Sequence, residues 1–233
     1  MPPTSRTLEL LQRPGPPALL VSLPANDPDL ARAAVDGGAE GLKVHINIEH
    51  AAAGVKFGSL PEEAGVLAEI VALGLPVGIV PGDFAAMASA EDVCRLAALG
   101  LDFMDAYIGA MPAWMLTQDD LPVMAAVGHG DMGRLAALAG LSGVRMVEAS
   151  IIAHEGYGKA LSVSDLCDYT EVVRAMAPAG KPVIVPTQRH IRPEDVAALT
   201  DTGVRGLLIG AIVTGAEARG LQAATRRYRE ALA

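Results

Sequence analysis

Short apolar runs alternate with amphipathic, helix-forming segments eight times along the chain. The odd-numbered runs open with proline, which suits the first residue of a strand because no ladder donor is needed there. The even-numbered runs follow an Ala/Leu-rich segment that ends in glycine, the residue that closes the last turn of a helix. The predicted strands cover residues 18–23, 41–48, 75–80, 102–108, 122–127, 144–152, 182–186 and 206–213.

Eight strand–helix units in succession predict a closed parallel barrel. The 233 residues are close to the roughly 250 that are typical of one such barrel. We therefore expect an α/β fold, a single (β/α)8 TIM barrel over residues 1–233, with a helix over residues 4–12 that caps the bottom of the barrel. The longest connections follow the second and sixth strands, at the end of the barrel where loops carry function, and are candidate lids.

The composition and charge of the chain argue against some classes of binding partner. Apolar residues make up 51% of the chain and aromatic residues 3%, which suits parallel strands buried on both faces. The net charge of −9, with scattered basic residues, argues against nucleic acid, which needs a basic face. No apolar stretch approaches the ~18 residues of a membrane span, and no secretory segment is visible at the start. We expect a cytoplasmic protein without a membrane partner.

The predicted second strand carries three polar residues of one parity. Its other parity is uniformly apolar, from Leu42 to Ile48, and therefore faces the helices. Lys43, His45 and Asn47 then face the barrel axis. Buried polar groups are costly unless they serve each other or a ligand, so this row predicts a site.

Two further strands add polar residues to the same interior. In the sixth strand, Glu148 and Ser150 share the inward parity, with Met146 and Ile152 before and after them. In the fourth strand, Asp105 and Tyr107 have a parity opposite to that of their apolar neighbours. Acidic and basic groups that converge in a dry pocket are what general acid–base catalysis needs.

These residues also admit a purely structural interpretation. Lys43 can be a buried ion-pair partner of Glu148 or Asp105, and His45 a hydrogen-bonded histidine without chemistry. His129 and Asp131 lie in a glycine-flanked loop and fit a surface turn as well as a site.

The other candidate chemistry is sparse. No tight spacing of the His-x-x-x-His type predicts a metal site, although ligands from separate strands leave no such signature. The two cysteines, Cys94 and Cys167, are far apart in predicted helices and predict neither a disulfide nor a ligand pair. We expect no cofactor. A homodimer is one expectation, because barrels of this size often associate.

The last third of the chain carries a family resemblance. It reads Lys181-Pro-Val-Ile-Val-Pro-Thr-Gln-Arg-His and then Gly206-Leu-Leu-Ile-Gly-Ala-Ile-Val-Thr-Gly. This resembles the closing segment of ribulose-phosphate-binding barrels, where the loops after the seventh and eighth strands hold a phosphate. By that resemblance Gln188, Arg189 and the backbone from Gly210 to Thr214 are the candidates for an anion site.

Within that superfamily the chain is most similar to the N-acetylmannosamine-6-phosphate 2-epimerases. The stretch Gly41-Leu-Lys-Val-His-Ile-Asn resembles the second strand of that family, in which a basic residue stands at the position of Lys43. The stretch Val77-Gly-Ile-Val-Pro-Gly-Asp resembles the third strand.

The chain departs from the epimerases at the residues that do their chemistry. Pro81 stands where they carry a catalytic lysine, and Pro186 and Thr187 stand where they carry a catalytic glutamate. Ala211 follows Gly210 where the phosphate loop has a second glycine. The resemblance therefore implies a divergent relative with relocated chemistry.

The residues together favour an enzyme that acts on a small phosphorylated or carboxylated, sugar-like metabolite. The expected chemistry is proton transfer next to a carbonyl, by an isomerase, an epimerase or an aldolase-type lyase. Glu148 is the expected base, with Asp105 or His129 as the alternative. Lys43 polarises the carbonyl or forms a Schiff base, and His45 relays a proton. The rival hypothesis is a non-catalytic barrel that binds a phosphorylated ligand as a sensor or partner module.

Overall fold

The computed structural model describes residues 5–50 and 54–233 and shows the closed parallel barrel that the alternation of elements predicts. Each strand pairs in parallel with its neighbours in sequence, and the first strand closes the ring by pairing with the last. The strands are β1 (Ala18–Ser22), β2 (Gly41–His45), β3 (Val77–Val80), β4 (Phe103–Tyr107), β5 (Val123–Gly128), β6 (Val144–Ser150), β7 (Val183–Pro186) and β8 (Gly206–Ile209).

Helices surround this ring and cover one end of it. They are α1 (Arg6–Gln12), α2 (Pro28–Gly37), α3 (Leu60–Val71), α4 (Ala90–Ala98), α5 (Leu135–Gly140), α6 (Val163–Met176), α7 (Val196–Thr200), α8 (Ala211–Thr214) and α9 (Ala218–Ala231). The connection after β2 forms a small antiparallel hairpin, in which Glu49–His50 pairs with Val55–Lys56. Within the described ranges, no helix is both long enough and apolar enough to cross a membrane.

The alternation of side chains divides the core into two parts. Outward-facing residues of the strands pack against the helices in a large apolar shell. Inward-facing residues at the amino-terminal end of the strands form a smaller cluster with Leu8 and Leu11 of α1. The predicted capping helix is thereby confirmed, and it closes the end of the barrel opposite to the cavity described below.

Local contacts explain how this closed end is filled. Phe103 of β4 points into the barrel beside Gly78 of β3, where a Cβ atom would lie 2.0 Å from the phenyl ring. Glycine is therefore the residue that leaves room for the ring. Asp102 accepts hydrogen bonds from the backbone N–H groups of Arg6 and Thr7 and so holds the start of α1.

Several predicted strands are shorter in the structure than the sequence suggests, among them β2 and β6. β2 ends at His45 and not at residue 48, because Asn47 adopts a left-handed conformation with φ 58° and the chain leaves the barrel. β6 ends at Ser150, and Ile152 packs in the helix-side shell, not on the axis. The start of the predicted first helix, residue 4, lies outside the described residues.

The prediction for the last strand is also wrong beyond Ile209. Residues 211–213 are apolar and partly β-branched, which reads as strand, yet they form the short helix α8. The reason lies in the hydrogen bonds that the chain makes at this point of the barrel. Gly210 lies at the rim of the barrel, where its N–H group donates to Thr187 Oγ1 and its carbonyl accepts from Val213 and Thr214.

Candidate active site

A cavity of about 230 Å³ opens at the carboxyl ends of the strands, where barrel enzymes carry their sites. Its polar floor is formed by inward-facing residues of β1, β2, β4 and β6, and its walls include the loops after β2, β3, β4, β6, β7 and β8. The polar and charged residues that line it are Ser22, Lys43, His45, Glu49, Asp83, Asp105, Tyr107, Glu148, Ser150, Tyr157, Thr187 and Gln188.

The floor holds a buried ammonium between two carboxyl groups. Lys43 Nζ lies 2.8 Å from Asp105 Oδ2 and 2.5 Å from Glu148 Oε2. Ser150 Oγ donates to the other oxygen of Glu148 at 2.5 Å. Lys43, Asp105 and Glu148 are only 6%, 1% and 5% exposed, so solvent does little to screen their interaction. The inward parity of three strands predicts this convergence.

The surroundings of the three groups decide which of them carry protons. Burial lowers the pKa of Lys43, but the two neighbouring carboxyls outweigh it and the pKa lies above its usual value. Burial raises the pKa of Glu148, yet the Lys43 charge and hydrogen bonds from its neighbours bring that pKa below its usual value. Burial and the charge of Glu148 raise the pKa of Asp105 well above its usual value. The surroundings therefore favour the charged form of Lys43, the ionised form of Glu148 and the protonated form of Asp105.

His45 lies beside this cluster. It is buried, its Nε2 atom is 3.5 Å from Ser22 Oγ, and its ring is 4.8 Å from that of Phe57. Both His45 and Ser22 line the cavity. His45 can therefore contact a bound molecule, which the relay role predicted for it requires.

Asn47 does not reach the cavity, contrary to the prediction. Because β2 has already ended, its side chain turns away and Nδ2 donates to the carbonyl of Pro81 at 3.2 Å. Ile48, predicted to face the helices, lines the cavity instead. The alternation of inward and outward side chains in this part of the chain therefore stops at Ile46, two residues before the predicted end of the strand.

Tyr107 stands at the mouth of the cavity with 40% of its surface exposed. Burial of the hydroxyl, with Tyr157 and Glu148 nearby, raises its pKa above the usual range. The phenol is therefore a hydrogen-bond donor at any physiological pH.

Gln188 has its amide fixed within the wall of the cavity. Its Oε1 atom accepts from the N–H group of Ile152 at 3.1 Å, and its Nε2 atom donates to the Ser150 carbonyl at 3.3 Å and the Tyr157 hydroxyl at 2.7 Å. Gln188 thus lines the site as predicted, although its contacts are to the protein.

The predicted anion site is brought together only in part. Gly210 lines the cavity beside Gln188, but Arg189 turns outward to the Gly156 carbonyl and Asp165. Thr214 is buried and donates to the carbonyl of Gly215. The expectation that the Arg189 guanidinium frames an anion is therefore wrong, because a buried carboxylate on α6 already binds it.

The alternative residues of the glycine-flanked loop also lie outside the cavity lining. The Nδ1 atom of His129 is 3.2 Å from the carbonyl oxygen of Ile151, and Asp131 accepts from the N–H group of Gly128 at 3.1 Å. In the described ranges, no group of three or more His, Cys, Asp or Glu residues is arranged to hold a metal ion. Both cysteines are exposed and free.

Five polar lining residues are not among those predicted from the sequence: Ser22, Glu49, Asp83, Tyr157 and Thr187. Ser22 has the inward parity of β1 and could have been found by the argument used for β2. Thr187 follows β7 directly, at the position where the resembling family carries a glutamate. Tyr157 lies in a loop, where no periodic pattern exists to reveal its direction.

Comparison with known proteins extends the fold assignment. No family profile matches the sequence, and no curated protein gives a significant match. A mutant tryptophan synthase alpha-subunit from Pyrococcus furiosus superposes with a TM-score of 0.70 at 14% identity, over 94% of this chain and 98% of that one.

Two more solved structures behave in the same way. Phosphoribosyl anthranilate isomerase from Thermus thermophilus has a TM-score of 0.64 at 18% identity, over 91% of this chain and 98% of its own. Thiamine phosphate pyrophosphorylase from Pyrococcus furiosus has a TM-score of 0.62 at 17% identity, over 92% and 95%. At these identities the likeness shows the fold, which is that of a (β/α)8 barrel; membership of the epimerase type stays a prediction.

Proposed function

We propose that the protein is an enzyme that moves a proton next to the carbonyl group of a small metabolite, as an isomerase, an epimerase or an aldolase-type lyase. The observation that carries the proposal is the buried cluster of Lys43, Glu148 and Asp105 on the floor of the cavity. A structural ion pair needs one carboxylate; the second carboxyl, held protonated, adds an acid beside a base.

Each group has a role that its protonation state allows. The Glu148 carboxylate accepts a proton from the carbon beside the carbonyl, and the electron pair moves onto the carbonyl oxygen. The Lys43 ammonium stabilises the negative charge that develops there. Asp105 then supplies a proton to the oxygen or to carbon, and it regains one from Glu148 or from water.

The charge state of Lys43 favours polarisation of the carbonyl over a Schiff base. An amine attacks a carbonyl only when it is neutral, and the two carboxyls keep Lys43 protonated. Its contacts at 2.8 and 2.5 Å hold the ammonium between the two carboxyl groups.

For the substrate we propose a small phosphorylated or carboxylated, sugar-like compound. The cavity volume of about 230 Å³ suits such a molecule. Ala211 and Ile212 line the cavity at the start of α8, where backbone N–H groups have no acceptor within the helix. Two of the proteins of like fold have phosphorylated compounds in their names. These N–H groups, and not Arg189, are the proposed contacts of the anionic end.

The test is solvent exchange. The protein is incubated in heavy water with sugar phosphates and short 2-oxo acids, and deuterium uptake next to the carbonyl is followed by NMR. We expect uptake with at least one compound and its loss, by about 10²-fold or more, in Glu148→Gln, because an amide cannot accept the proton. The control is Glu91→Gln, an exposed helix residue that pairs with Arg95.

Two results contradict the proposal. Near-normal exchange in Glu148→Gln would reduce Glu148 to a structural ion-pair partner. Tight binding of a probe without any exchange or turnover would support the rival hypothesis of a ligand-binding barrel.

A further inference from the structure

Arg189 contributes two hydrogen bonds to the loop that follows β6 and to the helix after it. Its Nη1 atom donates to the carbonyl of Gly156 at 3.0 Å, and its Nη2 atom donates to Asp165 Oδ1 at 2.8 Å. The Arg189 side chain is 20% exposed and that of Asp165 only 6%. Burial tends to raise the pKa of Asp165, but hydrogen bonds from Arg189 and Ser162 bring it below its usual value, so the pair stays charged.

The same loop is tied to the segment after β7 by its backbone. The N–H group of Gly158 donates to the carbonyl of Gln188 at 2.9 Å, and that of His190 donates to the carbonyl of Lys159 at 2.8 Å. A Cβ atom on Gly156 would lie 3.0 Å from Arg189 Nη1, so the guanidinium packs directly on the loop backbone. Residues 153–161, which we call the Tyr157 loop, are thus held against residues 188–190.

This arrangement fixes the direction of one phenol in the cavity wall. The Tyr157 hydroxyl accepts a hydrogen bond from Gln188 Nε2 at 2.7 Å, and Tyr157 lines the cavity. Because the Gln188 amide is itself held by Ile152 and Ser150, it presents a donor to the phenol and not an acceptor. The hydrogen of the Tyr157 hydroxyl is therefore left for Tyr107 or for an acceptor oxygen of a bound molecule.

We propose that Arg189 is a positioning residue that locks the Tyr157 loop closed, so that Tyr157 serves as a hydrogen-bond donor to an oxygen of the substrate. Its ion pair with Asp165 joins the loop to α6, and its bond to Gly156 holds the residue next to Tyr157. The role of Tyr157 as a donor to the substrate rests on the proposed function, whereas the positioning of the Tyr157 loop by Arg189 does not.

The positioning is tested without any ligand. The chain has four tyrosines, so a spectrum of protein labelled with ¹³C at the tyrosine Cζ atoms shows four signals, which single Tyr→Phe variants assign. In Arg189→Leu we expect the Tyr157 signal to shift or broaden and the amide of Gly158 to exchange with solvent about ten-fold faster or more. Arg189→Lys keeps the charge but lacks the forked guanidinium that reaches two acceptors. Its Tyr157 signal and Gly158 exchange rate should therefore lie between those of the wild type and those of Arg189→Leu.

The matched control is Arg192→Leu, which removes the same charge from an exposed pair with Asp195 three residues further along. It should leave the Tyr157 signal and the Gly158 exchange as in the wild type. If Arg189→Leu or Arg189→Lys also matched the wild type in both measurements, the proposal would be overturned.

The substrate part uses the compound that exchanges in heavy water. Both Tyr157→Phe and Arg189→Leu should raise its KM about ten-fold while kcat falls less, since a binding contact is lost and the floor is intact. An unchanged KM in Tyr157→Phe would contradict the donor role. If wild-type protein exchanges no compound, the proposed function fails, whereas the signal of Tyr157 and the exchange of Gly158 still decide the role of Arg189.

Discussion

Lys43 lies between two carboxyl groups that repel each other when both are ionised. One cation can balance one of them, and the low-dielectric interior makes a second unbalanced charge costly. Burial and the charge of Glu148 raise the pKa of Asp105, which favours the neutral form of the second carboxyl. A carboxyl group that favours its protonated form for this reason can also donate that proton to a bound molecule.

Lys43→Met should destabilise the protein strongly, and more so as the pH rises. Removal of one partner of a buried ion pair costs about 3–5 kcal/mol. Without the ammonium, the pKa of Glu148 and that of Asp105 both lie above their unfolded values. The folded state then binds more protons than the unfolded chain, so stability is retained at low pH and lost as the pH rises through the folded pKa.

Urea unfolding at pH 5.5 and pH 8, with exposed Lys56→Met as the control, measures this effect. The variant should lose more free energy of unfolding than the wild type between the two pH values. Parallel losses in both would show that the carboxyls do not depend on Lys43.

At the scale of the element, each end of the barrel is fitted for a different task. The closed end carries α1, which Asp102 holds through Ser5 Oγ at 2.8 Å and the N–H groups of Arg6 and Thr7 at 2.8 and 2.9 Å. The open end carries loops, which is where a barrel can vary its chemistry without loss of packing. Stability and binding are therefore separable by substitution.

Asp102→Ala should lower the free energy of unfolding by about 1–3 kcal/mol, because it removes the carboxylate that caps α1. Amide exchange in α1 should accelerate, whereas exchange in the Tyr157 loop at the other end should not change. The control is Asp119→Ala, an exposed loop residue. Equal melting temperatures for the two variants would contradict the capping role.

In the molecule as a whole, the segment after α1 and the final helix α9 meet beside β1. Glu40 Oε2 accepts from the N–H group of Leu19 in β1 at 3.1 Å, and the Glu40 carboxylate pairs with Arg13 at 2.6 Å and Arg229 at 2.7 Å. One carboxylate thus joins the segment before β1, the strand itself and the final helix α9. Closure of the ring by β1 and β8 places these parts together.

Glu40→Ala should lower the free energy of unfolding by about 1–3 kcal/mol, because it leaves two guanidinium groups and one strand N–H without their acceptor. The slope of that free energy against urea concentration should be unchanged, because unfolding exposes the same surface area in both proteins. Glu91→Ala, which breaks an exposed pair within one helix, should change stability by less than about 0.5 kcal/mol. Similar losses in the two variants would mean that the Glu40 junction contributes no more than a surface pair.

The barrel and the floor of its cavity can both be predicted from the amino-acid sequence alone. Alternating proline-led and glycine-ended segments predict eight strand–helix units, and the parity of β2, β4 and β6 predicts that Lys43, Asp105 and Glu148 face one axis. Both are local properties, since a strand sends successive side chains to opposite sides whatever surrounds it. A parallel barrel then brings equivalent positions of different strands together.

The rim of the cavity, in contrast, depends on contacts between residues that are distant in sequence. Asn47 and residues 211–213 have the sequence pattern of strand continuations. At the barrel edge, however, the ladder ends, and the N–H groups of Asn47 and Gly210 donate to the Gly58 carbonyl and to Thr187 Oγ1. The sequence suggests that Arg189 binds an anion, but in the fold it pairs with Asp165, 24 residues earlier. Nothing in the sequence pattern predicts that Tyr157 lines the cavity. Loop side chains take their direction from contacts distant in sequence, and no periodicity encodes those contacts.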